Sequence, residues 1–353
     1  MEDHRPGGRL NTRPQVVITH RVHEPVKQML AHACDVVAND DLESWLASRF
    51  HELARGSDAL MVFMPDKIDE PLLAQCPRLK VIAGAFKGYD NIDVEACTRR
   101  GVWVTIVPDL LSQPTAELAL ALILGLIRNL APGDRLIRNA RFQGWRPVLY
   151  GDTLTGKTLG IVGMGKLGQA FARLVAGFSA RIIYYDPRKM SPVEEAFLAI
   201  GRARFDQILS DSDIVVITAP LAASTLHLID ADALTKMKKG AYLVNVGRGS
   251  VVDEAAVASA LEQGQLAGYA ADVFEMEDWA RPDHPTGVHP RLLAQLNRTL
   301  LTPHLGTAVV KARLDIEMSA AASILQALGG ERPADAINDI RKDSLRPGSR
   351  VEP

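Results

Sequence analysis

The stretch Gly163-Met164-Gly165-Lys166-Leu167-Gly168 restricts this chain's fold more than any other. Alone, G-x-G-x-x-G is weak, because glycine-rich turns recur by chance. Here it sits between an apolar run at 159–162 and a helical pattern at 169–178. Asp186 closes the next apolar run, 180–186, 18 residues after Gly168. That context calls for a parallel strand, a tight turn, and a helix whose first N–H groups and dipole attract an anion. The glycines permit the turn and a close backbone approach to a dinucleotide pyrophosphate. Asp186 is suited to accept from ribose hydroxyls, which favours NAD. Arg188, two residues on, could meet a 2′-phosphate, so NADP stays open. The plainer reading is a glycine turn that only packs a helix onto a sheet.

The rest of the chain supports an α/β reading. Its 353 residues suit two domains. Helical patterns at 24–32 and 41–54 alternate with strand-like runs at 15–19, 59–63, 80–83 and 103–105. Beyond 158, strands are expected at 158–162, 180–186, 214–218, 241–246, 268–272 and 299–302, with a closing helix at 308–328. A helix-forming run at 115–130 is apolar nearly all round, so it must be buried, between domains or against a second subunit. The short polar Ser112-Gln113-Pro114 is the expected domain crossing. The first 14 residues read as a leader. The last 20 or so, polar and bearing Pro and Gly, read as a tail with at most local order.

Composition removes several classes. Forty Lys and Arg against 42 Asp and Glu leave a net charge of −2, which argues against a general binder of nucleic acid or anionic membrane. The longest apolar run, 118–127, is about half a bilayer span. Cys34, Cys76 and Cys97 have no CxxC or Cys/His spacing, so neither a disulfide framework nor a metal site is expected. A reducing cytoplasm is the default setting.

Three charged residues follow expected strand ends: Arg248 in Asn245-Val246-Gly247-Arg248-Gly249-Ser250, Glu277 after Asp272-Val273-Phe274, and His304 in Thr302-Pro303-His304-Leu305-Gly306. Ligands gather at the carboxyl ends of strands in open parallel sheets. Singly, each has a structural reading: a surface-turn Arg, a loop Glu, a His capping a strand. Together, at strand ends of one sheet, they point to a functional site.

With the fingerprint and Val251-Val252-Asp253-Glu254, these segments resemble the D-2-hydroxyacid dehydrogenase family over about 16–332. The resemblance implies two Rossmann-like doubly wound parallel-sheet domains: a flavodoxin-like substrate domain from 1–111 and 304–353, and a dinucleotide-binding domain, 112–303, inserted between. It implies that Arg248 holds the substrate, that His304 is the acid/base, and that Glu277 pairs with His304 in a buried couple. It places the cofactor against Gly163, Gly165, Lys166, Leu167 and Gly168, then Asp186, Pro187 and Arg188. Thr115, Ala219, Pro220, Val246, Arg248, Asp272, His304 and Thr307 complete that expected set. A homodimer is also implied.

Within the family, Ile18-Thr19-His20-Arg21-Val22-His23, Phe63-Met64-Pro65-Asp66, Lys87-Gly88-Tyr89-Asp90-Asn91, Phe142-Gln143-Gly144-Trp145 and the run 269–279 look like the phosphite-oxidising members. Family members generally carry a small or aliphatic residue where Lys87 stands. A lysine adds a second cation to Arg248, which suits a dianion better than a monocarboxylate, since like-charged reactants at ~4 Å repel by several kcal/mol at an effective dielectric of 20. That likeness adds Gly88, Met64, Trp145, Tyr150, Thr307 and Arg313 to the substrate site. It implies His304-assisted attack of water on phosphorus, with hydride passing from P–H to nicotinamide C4. Trp145 and Tyr150 also read as domain-interface packing. Thr307 stands where those members have serine, and Gly247 where they have cysteine. One alternative is a dehydrogenase of a 2-keto or 2-hydroxy acid; another is an NAD(H)-sensing corepressor that binds protein partners. Lys87 and the lack of proline after Glu277 weigh against the first, and Lys87 with the lack of long interaction tails against the second.

Overall fold

The computed structural model describes residues 13–107, 109–279 and 281–340. Most of the expected leader, 1–12, and the end of the expected tail, 341–353, lie outside the described residues. The chain forms two compact units, one from Met1–Pro108 and Leu314–Pro353, the other from Asp109–Arg313.

In the first unit, β1 (Gln15–Ile18), β2 (Asp35–Ala38), β3 (Ala59–Val62), β4 (Val81–Gly84) and β5 (Trp103–Thr105) form one parallel sheet in the order β2-β1-β3-β4-β5. β3 and β4 are buried throughout, as strands covered on both faces must be. β2 was not expected from the sequence: at the edge it stays half-exposed, and its four residues give little pattern. The helix expected at 41–54 is Ala47–Gly56 instead. Asn39 holds the preceding turn, its Oδ1 accepting from Asp41 N and its Nδ2 donating to Glu43 O at 2.9 Å. Leu42 is left 81% exposed.

The start of the tail is more ordered than expected. Ala336 bridges Thr105 antiparallel, and Ile337 N donates to Val104 O. Asn338, buried, accepts from Val104 N and donates to Val102 O and Thr98 Oγ1.

The second unit's parallel sheet has seven strands: β6 (Thr158–Val162), β7 (Arg181–Tyr185), β8 (Ile200–Arg202), β9 (Ile214–Ile217), β10 (Ala241–Asn245), β11 (Leu266–Ala271) and β12 (Thr299–Leu301). Their order is β12-β11-β10-β9-β6-β7-β8. The direction of winding reverses between β6 and β9, where such sheets open a ligand crevice. Helix Ser112–Ile127 packs on helix Lys166–Val175 and on β10 and β11, and Ala119, Leu122, Ile123 and Leu126 are buried in this unit's own core. Leu118, Leu120 and Leu124 on the same helix stay half-buried, and Ala121 is exposed.

Ser112, Gln113 and Pro114 are the first turn of that helix, where proline is tolerated, and not a linker. The units divide at 108/109 and 313/314, against the expected 111/112 and 303/304. Residues 304–306 go with the second unit because their backbone N–H groups bond to Asp272, at the end of β11. After the apolar helix come helix Leu130–Arg138 and irregular chain to 151, none of it buried apart from half-covered positions. Trp145 is 84% and Tyr150 79% exposed. No single helix among the described residues is long and apolar enough to cross a membrane.

Candidate active site

The fingerprint turn shows three different uses of glycine. Gly163 has φ 98°, a left-handed conformation that side chains resist, and a Cβ there would lie 2.8 Å from Ala219 N. At Gly168 a Cβ would lie 2.3 Å from Gly163 O, so this glycine lets helix Lys166–Val175 seat against the strand end. A Cβ at Gly165 would meet no protein atom within 4 Å. Internal packing does not call for a glycine at Gly165; close approach of a pyrophosphate to the helix N-terminus does. Lys166 and Leu167 open the helix. Asp186 follows β7, its Oδ2 accepting from Met164 N and its Oδ1 from Arg188 N, each at 2.8 Å. The carboxylate is thereby fixed beside the turn, while Pro187 and the Arg188 side chain are exposed. These residues fit a bound dinucleotide.

Around this turn the other strand ends converge. Ala219 and Pro220 follow β9, and a Cβ on Gly247 would lie 2.5 Å from Ala219 O. Gly247 thus lets the β10 turn pass close to the β9 turn. Val246 is core. Arg248 comes next in extended conformation, its Nη1 donating to Gly247 O at 2.9 Å, and Asn245 Nδ2 holds the Arg248 carbonyl at 2.9 Å.

His304 sits at φ 54°, a strained backbone for any residue with a side chain. Asp272 enforces it. Only 1% exposed, it accepts from Thr302 Oγ1 at 2.6 Å, Leu305 N at 2.7 Å and Gly306 N at 2.8 Å, and its own carbonyl accepts from His304 N at 3.0 Å. Burial raises this carboxyl above its ordinary range, against the lowering pull of those three donors. Both oxygens are engaged with the turn, which makes Asp272 the support of His304. His304 Nδ1 lies 2.5 Å from Glu277 Oε2, and Glu277 Oε1 accepts from Phe274 N at 2.9 Å. A carboxylate on Nδ1 fixes the hydrogen there and leaves Nε2 to take up or release a proton. The pair is about a third exposed, 32% and 29%, and not buried as expected. Thr115 donates its hydroxyl to Leu111 O on the helix beside Gly306. Thr307 is half-buried, and Arg313 N donates to Val309 O at 2.8 Å.

The remaining expected residues lie in the first unit. Lys87 and Gly88 follow β4, both half-buried, on a turn whose Phe86 ring is buried against Gly84. Met64 follows β3 and packs in part on that unit's core. Asp66 pins its turn, Oδ2 accepting from Phe63 N at 2.7 Å and Thr19 Oγ1 at 2.5 Å. Burial raises the Asp66 carboxyl, opposed by these donors and by His20. Sequence reasoning missed the residues that brace the site: Asp66, His227, Glu254, Glu275, Asp278 and Arg281. Their signal was chemical, since charged groups in runs that must be buried need partners. Among the described residues no group of three or more His, Cys, Asp or Glu could hold a metal ion.

A doubly wound parallel sheet with this glycine turn, and with an Arg and a His–carboxylate pair at neighbouring strand ends, defines a nicotinamide-dependent oxidoreductase. The sequence profile of the "D-isomer specific 2-hydroxyacid dehydrogenase, NAD binding domain" matches residues 120–306. A glyoxylate reductase of Thermofilum pendens is 38% identical over 345 residues, spanning 96% of this chain and 98% of that protein. A crystal structure of a Thermus thermophilus protein superposes with a TM-score of 0.82 at 31% identity, covering 92% of this chain and all of that one. An NADPH-dependent glyoxylate/hydroxypyruvate reductase from Sinorhizobium meliloti, in complex with NADP and malonate, gives 0.78 at 27% identity, covering 92% and 97%. The chain belongs to the D-isomer-specific 2-hydroxyacid dehydrogenase family, and its second unit is an NAD-binding domain.

Proposed function

We propose that the chain exchanges a hydride between a nicotinamide cofactor and a small oxyanion held by Arg248, and that this oxyanion is phosphite, making the chain a phosphite dehydrogenase. The bound nicotinamide supplies the hydride-accepting carbon. Arg248 binds and orients the anion through its planar fork of donors. His304, its tautomer set by Glu277, takes the proton of the attacking water at Nε2. Phosphite, NAD and water then give phosphate, NADH and a proton. The observation that carries the phosphite reading is Lys87, a second cation for a substrate that is largely a dianion near neutral pH. The Met276-Glu277-Asp278-Trp279 segment agrees with it.

A second reading, reduction of a 2-oxo acid such as glyoxylate, has the better backing from the comparisons, since relatives over nearly the full length carry the name glyoxylate reductase. The same Arg248, Glu277 and His304 serve it, with His304 giving its proton to the carbonyl oxygen. Initial rates decide between the two: NADH formed from NAD and phosphite, against NADH consumed with glyoxylate, each repeated with Lys87→Ala. Turnover of phosphite that collapses in Lys87→Ala supports the first reading. Turnover of glyoxylate alone, unaffected by Lys87, overturns it. A homodimer is also proposed, supported by the exposed apolar residues between Leu130 and Tyr150.

A further inference from the structure

Arg248 and Glu277 stand on separate turns, after β10 and β11, yet the two turns are welded together. A Cβ on Gly249 would lie 1.9 Å from the Phe274 carbonyl carbon and 2.3 Å from Glu275 N, so the residue after Arg248 rests directly on the backbone leading to Glu277. Ser250 N donates to Asp278 Oδ2 at 2.6 Å, with both residues buried. Arg281 closes the seam from the far side. Its Nη1 donates to Glu275 Oε2 at 2.7 Å and to Ser250 Oγ at 2.9 Å, one nitrogen bridging the two turns, while Nε and Nη2 reach the exposed Asp283. The Arg281 side chain is only 15% exposed, and Glu275 10%.

His227 completes the brace. Its Nε2 lies 2.9 Å from Glu275 Oε2, and its backbone N donates to Ser250 O at 2.7 Å. Glu275 and Glu254 exchange backbone-to-carboxylate bonds at 3.1 and 2.9 Å, and Glu254 also accepts from His289 N at 2.8 Å. Glu254, Glu275 and Asp278 bring three carboxylates to a small buried region, and Arg281 is the cation that spans both turns there. Such a group fixes neighbours more than it stabilises the fold, because buried pairs return little net energy but tolerate few geometries.

We propose that Arg281, backed by His227, is a positioning residue that holds Arg248 in register with Glu277 and His304. The proposal rests on the reading of Arg248 as the holder of the substrate anion. Arg281 touches no reacting atom; it acts through Ser250, one residue past Gly249.

The test uses the full chain loaded with NADH. Oxalate binding is followed by nucleotide fluorescence, and turnover by initial rates with glyoxylate and, in the NAD form, phosphite. Arg281→Met should weaken oxalate binding and raise the substrate KM tenfold or more, lower kcat less, and leave NADH affinity within twofold. Arg281→Lys, which can still reach Glu275, should recover part of the loss. Asp283→Asn should stay within twofold of the parent throughout. An Arg281→Met protein that loses thermal stability but keeps its KM and oxalate affinity overturns the proposal. So does oxalate binding that ignores Arg248→Ala, since Arg248 would then hold no anion. If the parent turns over neither substrate while oxalate binding still needs both arginines, the substrate reading fails and the positioning role stands.

Discussion

Two stretches of irregular chain in the second unit behave in opposite ways. The turns at 246–251, 272–278 and 302–307 hold only two short 3₁₀ turns, Gly249–Val251 and Glu275–Glu277, yet buried carboxylates pin their backbone, Asp278 holding Ser250 N and Asp272 holding Leu305 N and Gly306 N. The stretch 139–150 is equally irregular and has no buried residue; Phe142, Trp145, Val148, Leu149 and Tyr150 all face outward. Irregular backbone is held in one place by internal polar partners or by an apolar surface that covers it. The three strand-end turns use the first means. The 139–150 stretch has exposed polar partners, such as Asn129 Nδ2 on the Leu149 and Tyr150 carbonyls, and no buried carboxylate, and a second copy of the chain is the proposed cover.

Breaking the rigid side of this contrast should have the largest effects. His304→Asn keeps the backbone contacts but removes the titrating nitrogen, and kcat should fall by about 10²–10⁴ with NADH affinity within twofold, as read by initial rates and fluorescence titration. Arg248→Ala should next cost about 1.5–3 kcal/mol of substrate binding, roughly 10–150-fold in KM, since it deletes charge-assisted hydrogen bonds.

Asp272→Asn probes the support itself. The amide keeps one acceptor but opposes a backbone N–H with another N–H, so stability should drop by about 1–3 kcal/mol in urea unfolding. Its pH dependence has a definite sign. Burial first, against three donors, raises the Asp272 carboxyl in the fold, so the native chain keeps that proton to higher pH than the unfolded chain does. This group's stabilising contribution is complete below the unfolded-state value and is lost as pH rises through the raised native one. The parent's margin over Asp272→Asn should therefore shrink as pH rises from about 4, the ordinary carboxyl range; a margin that grows would refute the assignment. On the exposed side, Phe142→Ser with Trp145→Ser should shift sedimentation from dimer to monomer while moving the unfolding midpoint by only a few degrees. An unchanged dimer would mean that the exposed apolar stretch is covered by something else.

Much of the site was legible because its chemistry sits at strand ends. Gly163 to Gly168, Asp186, Arg248, Glu277 and His304 each follow an apolar run that the sequence marks plainly, and the structure puts them after β6, β7, β10, β11 and β12. What escaped was short or amphipathic. Helix Pro192–Leu198 carries a full capping box, Ser191 with Glu194, but its seven residues show little periodicity. β2 and β8, at the two sheet edges, bury too little to alternate clearly. The brace around Arg281 was hidden for another reason: Glu254, Glu275 and Asp278 look like surface charges until the fold shows that they lie inside. The apolar run at 118–127 was legible as a buried helix, and its own unit buries Ala119, Leu122, Ile123 and Leu126 while leaving Leu118, Leu120 and Leu124 half-covered.

The three-residue stitch of 336–338 along β5 has a consequence for how the folded chain behaves in company. An exposed parallel edge offers unpaired N–H and C=O groups to any passing strand. Here the Ala336 bridge and the Asn338 side chain use up the edge groups of Val102, Val104 and Thr105. A chain cut before Ala336 would keep its glycine turn and its His–Glu pair, yet expose a sticky border. Its first symptom would be loss from solution through edge-to-edge aggregation, with the chemistry of the surviving molecules intact.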